Sequence, residues 1–121
     1  MRVFMCVLAL SFLLGGCGDS NAIKLVKSGK FNNCNKTVEQ AVNGFFASPK
    51  WESGIGKDGP TKGLTLVNLR GRSKLLGKEV DNLIQFIVDE KKGTFEVHAL
   101  ETNGVPQAPL MILGLVKKMC E

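Results

Sequence analysis

The apolar residues of this chain change period along its length, and those changes divide it into elements. Val3 to Leu14 is an almost unbroken apolar run, with Met1-Arg2 before it and Gly15-Gly16 after it. Further on, Val38, Ala41, Val42, Phe45 and Phe46 recur at the spacing of one helix face. Thr37 offers an N-cap hydroxyl to that helix. Gln40, three residues on, completes a capping box that satisfies two otherwise orphaned amides. Ser48-Pro49 is expected to close the helix, because proline disfavours the helical region for the residue before it.

From Lys50 the period falls to two. Lys50-Trp51-Glu52 reads as a short strand whose tryptophan packs on the helix, and Gly54, Gly56, Gly59-Pro60 and Gly63 mark a turn. Leu64 to Leu69 reads as a second strand and Arg70 to Lys78 as a basic connection. In Val80 to Val88, Ile84, Phe86 and Val88 take one face and Leu83, Gln85 and Ile87 the other. Asp89 to Gly93 then turns the chain into Thr94 to Leu100, where Phe95, Val97 and Ala99 alternate with Glu96, His98 and Leu100. Two such runs with a short polar connection predict an antiparallel hairpin.

Thr102-Asn103-Gly104 is a further turn, and Pro109 suits the first turn of a terminal helix. That helix is nearly all apolar, from Leu110 through Met119, with Lys117-Lys118 complementing its dipole at the C-terminal end. The expected fold is α+β: a small antiparallel sheet of three to four strands, with an N-terminal and a C-terminal helix packed on one face.

The first apolar run belongs to no fold. A cationic start, an apolar stretch and small residues make a secretory signal, and the run is too short to span a membrane, which takes about 20 apolar residues. Leu14-Gly15-Gly16-Cys17 resembles the bacterial lipobox, and polar Gly18-Asp19-Ser20-Asn21 follows at once. The resemblance implies diacylglycerol in thioether linkage on Cys17 and cleavage just before it. The rival reading is an ordinary signal peptide with an incidental cysteine. A cysteine bearing two or three acyl chains anchors stably, whereas one chain is marginal. Gly18 stands where the usual inner-membrane retention signal has aspartate, so the outer membrane, facing the periplasm, is the expected location. The chain thus divides into a signal peptide at 1–16, a lipid-anchored tether at 17–30, whose apolar centre (Ile23, Leu25, Val26) reads as a short strand or helix or as a linker, and a single domain at 31–121.

Composition adds two constraints. The net charge of +5 becomes +4 when Arg2 leaves. Outside the cytoplasm a mild basic excess points to the membrane surface or to a glycan, not to nucleic acid, with plain solubility as the rival. Of the four cysteines, Cys6 leaves with the signal and Cys17 is consumed by lipid. Cys34 and Cys120 remain, and an even pair in an oxidising compartment predicts a disulfide between them. There is no CxxC spacing and His98 is the only imidazole, so neither a metal nor a cofactor is expected. The acidic residues Asp58, Asp89, Glu90, Glu96 and Glu101 fall in turns or on outward strand positions. No nucleophile–base pair emerges, and the expectation is a protein that is not an enzyme.

Arg70, Arg72, Lys74 and Lys78 are the one surface feature singled out, as a contact for anionic lipid, lipopolysaccharide or glycan; a solvated loop is the rival. Finally, Phe45-Phe46, Pro49 to Glu52, Ile84 to Val88, Gly93 to Val97, Ala99-Leu100 and Asn103 to Gln107 resemble a family of small bacterial envelope proteins. In that family PKWE, IQFxV, GTFEVxAL and NGVPQ recur, and the likeness spans residues 24 to 119. This chain departs from it in the strand from Leu64 and in carrying Cys34 and Cys120. The resemblance implies an envelope module and brings no activity with it. Two functions follow as expectations: a binding or assembly module with an envelope protein or glycan as partner, or a small inhibitor that excludes an incoming enzyme, phage or plasmid apparatus. An inhibitor needs a rigid protruding loop, and Lys57 to Gly63 is the candidate. The anchor is tested by metabolic labelling with a fatty-acid analogue, which should tag the wild type and not Cys17→Ser. Equal labelling of both would refute it.

Overall fold

A computed structural model describes residues 20–121; the expected signal peptide and Cys17 lie outside the described residues. Three helices, α1 (Asn21–Ser28), α2 (Val38–Phe45) and α3 (Pro109–Met119), accompany five strands. The strands are β1 (Ala47–Ile55), β2 (Thr65–Leu75), β3 (Lys78–Asp89), β4 (Thr94–Thr102) and β5 (Val105–Pro106). They form one antiparallel sheet in chain order, each strand pairing with its sequence neighbours. The α+β class is as expected, with one more helix and a short fifth strand.

The added helix corrects the tether. Ser20 caps α1, its hydroxyl accepting the Ile23 amide at 3.2 Å, and Ala22, Ile23 and Val26 are buried in the core. Residues 20–30 are therefore part of the domain and not a linker. The apolar residues recur one and four positions apart, so the helical period was present but short. Burial decides the outcome, since an eight-residue helix has little stability of its own.

The capping box of α2 forms as expected: Thr37 Oγ1 accepts the Gln40 amide at 3.1 Å and Gln40 Oε1 accepts the Thr37 amide at 2.9 Å. The helix ends earlier than Ser48-Pro49. Phe46 is already its extended C-cap, and β1 begins at Ala47. Ser48 and Pro49 lie instead in an irregularity where the β1–β2 register shifts between Ala47 and Lys50. Ser48 takes a positive φ of 53° there, and no partner in β2 is required of the proline.

Arg70 to Lys78 is not a connection. β2 runs on to Leu75, and the chain reverses over Leu76-Gly77, both at positive φ (52° and 81°), as a two-residue type I′ hairpin demands. A second departure lies in β4. Phe86 pairs with Val97 but Gln85 with Ala99, so His98 is an extra residue in a bulge. Beyond it the alternation inverts, and Leu100, not Ala99, is buried.

The core lies between the helices and one sheet face. Phe86 is completely buried at its centre, with ring centroids of Phe31 at 6.4 Å, Trp51 at 6.2 Å and Phe95 at 5.8 Å. Trp51 is thus a packing residue, but its cover comes from α1, whose Lys27 Nζ lies 5.5 Å from the indole ring centre. Phe46 lies on β2 at Gly71; a Cβ there would come within 2.8 Å of the Phe46 side chain, so only glycine admits it. Asn82, the one buried polar side chain of the described residues, is held by Ser73 Oγ at 2.9 Å and by the Thr102 hydroxyl at 3.2 Å, tying three strands together.

Cys34 and Cys120 form the expected disulfide, with Cα atoms 5.6 Å apart and 86 positions of sequence between them. It ties the segment before α2 to the end of α3, and in the chain-entropy model a loop of this size stabilises by about 4.6 kcal/mol. Lys36 Nζ reinforces the junction by donating to the Glu121 carbonyl at 2.7 Å.

Phe46 is buried while Phe45 is half-buried and Asn43 exposed. Phe46→Ala should therefore cost about 3–5 kcal/mol in denaturant melts. Phe45→Ala should cost less, and Asn43→Ala should stay within about 0.5 kcal/mol. Equal midpoints for all three would show that this helix is not seated as described.

Candidate functional site on the open sheet face

In a strand, alternate residues point to opposite faces, so sealing one face of this sheet leaves the other uncovered. The outward positions form rows across the strands. Leu66 lies beside Ile87 and Glu96, and Glu52 beside Asn68, Gln85 and Ala99. The next row holds Lys50, Arg70, Leu83, Glu101 and Pro106. Leu66 and Ile87 are half-buried side by side, and half-buried Leu83 lies two rows away, on a face with charges of both signs. Gln85 Nε2 donates to Asn68 Oδ1 at 3.2 Å, holding the polar pair at its centre.

Where Lys50, Arg70 and Arg72 approach Asp81, Leu83 and Glu101, the face carries a shallow depression of about 530 Å³. Lys50 is directly opposite Arg70, a like-charge pair that is unfavourable between neighbouring strands. Arg70 Nε is 3.6 Å from Glu52 Oε1, which offsets part of that repulsion. Both side chains are well exposed, so the ion pair contributes at most about 1 kcal/mol.

The basic stretch singled out from the sequence is divided by this geometry. Arg70, Arg72 and Lys74 share the open face, whereas Lys78 pairs with Leu75 and points to the helix side. Arg72 stands opposite Asp81 and Lys74 opposite Glu79, and Arg72 Nη1 lies 3.7 Å from Glu79 Oε1. The cluster is therefore a mixed-charge surface and not a uniform cationic patch. Lys50, Asp81, Leu83 and Glu101 join it only through strand pairing. Their outward period was legible; their neighbours were not.

Past Arg72 the hairpin leaves the sheet. Ser73 to Val80 pair only with each other, since β1 reaches no further than Arg72 and β4 no further than Asn82. This ribbon ends on Leu75, 53% exposed, and Leu76, 96% exposed. The loop from Lys57 to Gly63 is short and braced: Gly63 N–H donates to the Gly56 carbonyl at 2.9 Å, and Gly56 N–H to Leu64 at 2.9 Å. Elsewhere, Leu110, Met111 and Leu113 of α3 also face solvent.

Among the described residues no group of three or more histidine, cysteine or acidic side chains could hold a metal ion. His98 is exposed in its bulge. Comparison with protein-family models, with curated proteins and with solved structures returned no match.

Leu76 occupies a left-handed position that costs a branched L-residue about 1–2 kcal/mol, and it buries nothing in return. Leu76→Asn should raise stability by about 1 kcal/mol, because Asn-Gly is the favoured type I′ pair. A lowered midpoint in denaturant would mean that the leucine packs against the domain after all.

Proposed function

We propose that this chain is a lipid-anchored lipoprotein of the bacterial envelope, held through Cys17 and acting as a non-enzymatic binding or assembly module. The observation that carries the reading is the uncovered sheet face, where half-buried Leu66, Ile87 and Leu83 are set among Lys50, Glu52, Arg70 and Glu101. An envelope protein suits this surface better than an anionic lipid or a glycan polyanion. Interleaved charges of both signs give orientation and partner choice, and the half-buried leucines gain by further burial. Location in the outer membrane, facing the periplasm, belongs to the same proposal.

A second reading, a small inhibitor or exclusion factor, draws on the ribbon from Ser73 to Val80. It is narrow, free of the sheet and tipped by two exposed leucines. Such an element can enter a cleft, which a flat face cannot.

Photocrosslinking in intact cells separates the two. A photoreactive residue at Leu83 should give a defined protein adduct that is lost with Arg70→Glu, while the same probe at Asn43 on α2 gives none. Adducts from Leu76 alone would favour the inhibitor. Adducts of equal yield from Leu83 and Asn43 would sink the sheet-face reading.

A further inference from the structure

Ser20 determines which end of the domain the anchor enters. Its hydroxyl caps α1 and also lies 2.8 Å from the Ser53 hydroxyl of β1. Ser53 is two residues from Ile55, the last residue of β1, which pairs with Thr65 at the start of β2. At about 3.3 Å per strand residue, the chain enters the domain some 7 Å from this end of the sheet. The other end is far away. From Val67, the partner of Ser53, to Leu75 is eight strand residues, or about 26 Å.

The near end has its own surface chemistry. Ile55 is 59% exposed and Leu64 39% exposed, on either side of the braced loop that carries Lys57 and Lys62. An apolar pair beside two lysines matches the boundary between acyl chains and headgroups, where long cationic side chains extend to the phosphates. By contrast, the open sheet face carries charges of both signs, and its apolar residues Leu66, Leu83 and Ile87 are half-buried.

We propose that the end formed by Ile55, Lys57, Lys62 and Leu64 rests on the bilayer, and that the β2–β3 ribbon points away from it. The inference rests on the lipid reading of Cys17. Three peptide links separate Cys17 from Ser20, and even fully extended they span about 11 Å. That tether is too short to bring the ribbon tip down while the near end lifts off. Asp58, Asp89 and Glu90 offset three of the four lysine charges at this end, those of Lys57, Lys62, Lys91 and Lys92, so the acyl chains supply the affinity and the contact does not require anionic lipid. The braced loop is then turned to the membrane and withdrawn from any periplasmic partner, whereas the ribbon and the depression around Arg70 remain accessible.

Fluorescence quenching tests the arrangement. Full-length protein is produced in a bacterial host, its lipid confirmed by mass, and reconstituted into phosphatidylcholine vesicles with and without phosphatidylglycerol. Lys57→Cys and Leu76→Cys each provide one site for an environment-sensitive fluorophore, Cys34 and Cys120 being paired. Nitroxide on the lipid headgroups should quench the label at position 57 at least twofold more than that at 76, in both vesicle types. Equal quenching, or stronger quenching at 76, in lipid-bearing protein overturns this proposal alone. Protein that bears no lipid and washes off the vesicles overturns the Cys17 reading, and this proposal with it.

Discussion

Everything in this domain depends on the closing of one sheet face over Phe86. Four rings meet there from separate parts of the chain: Phe31 ahead of α2, Trp51 on β1, Phe86 on β3 and Phe95 on β4. Each large apolar side chain contributes about 1.5–3 kcal/mol when fully buried. The buried sides of α1 and α2 supply the lid, with Val26, Val38 and Val42 fully enclosed. Because the sheet is a plain meander, strand pairing needs no long crossover, and the lid is built from the helices that flank it in sequence.

A single sealed face has a direct consequence for function. Five strands with helices on one side leave as much sheet uncovered as covered, and an antiparallel sheet tolerates this when the outer face is polar enough. Here that face is only partly polar. Leu66, Leu83 and Ile87 lie in it among charges of both signs, the cations on β1 and β2 and the acids mainly on β3 and β4.

The disulfide sets how far the helical side can relax. α3 is apolar nearly all round yet exposes Leu110, Met111 and Leu113, so packing alone seats it weakly. Cys120, bonded to Cys34, together with buried Met119, pins its C-terminal turn to the segment that leads into α2. As long as it stays oxidised, that bond holds the last helix to the domain although its outer side is exposed.

Local and periodic features were legible in the residues alone: the capping box at Thr37 and Gln40, the buried side of β3 at Ile84, Phe86 and Val88, the β3–β4 hairpin, the start of α3 at Pro109 and the pairing of Cys34 with Cys120. Each depends on neighbours within a few positions, or on a count that leaves one partner. The tertiary structure decided what depends on distant neighbours. Asn21–Ser28 is a helix because a hydrophobic lid was needed over Trp51 and Phe86, not because so short a segment is stable. The bulge at His98 exchanged Ala99 for Leu100 in the core, since a period of two cannot register an extra residue. Most telling is the run from Arg70 to Lys78, which reads along the chain as a basic loop. Folded, it is two paired strands, in which Asp81 and Glu79 stand opposite Arg72 and Lys74 and Lys78 faces the other way. Charge counted along a sequence is not charge on a surface, because strand pairing chooses the neighbours that cancel it.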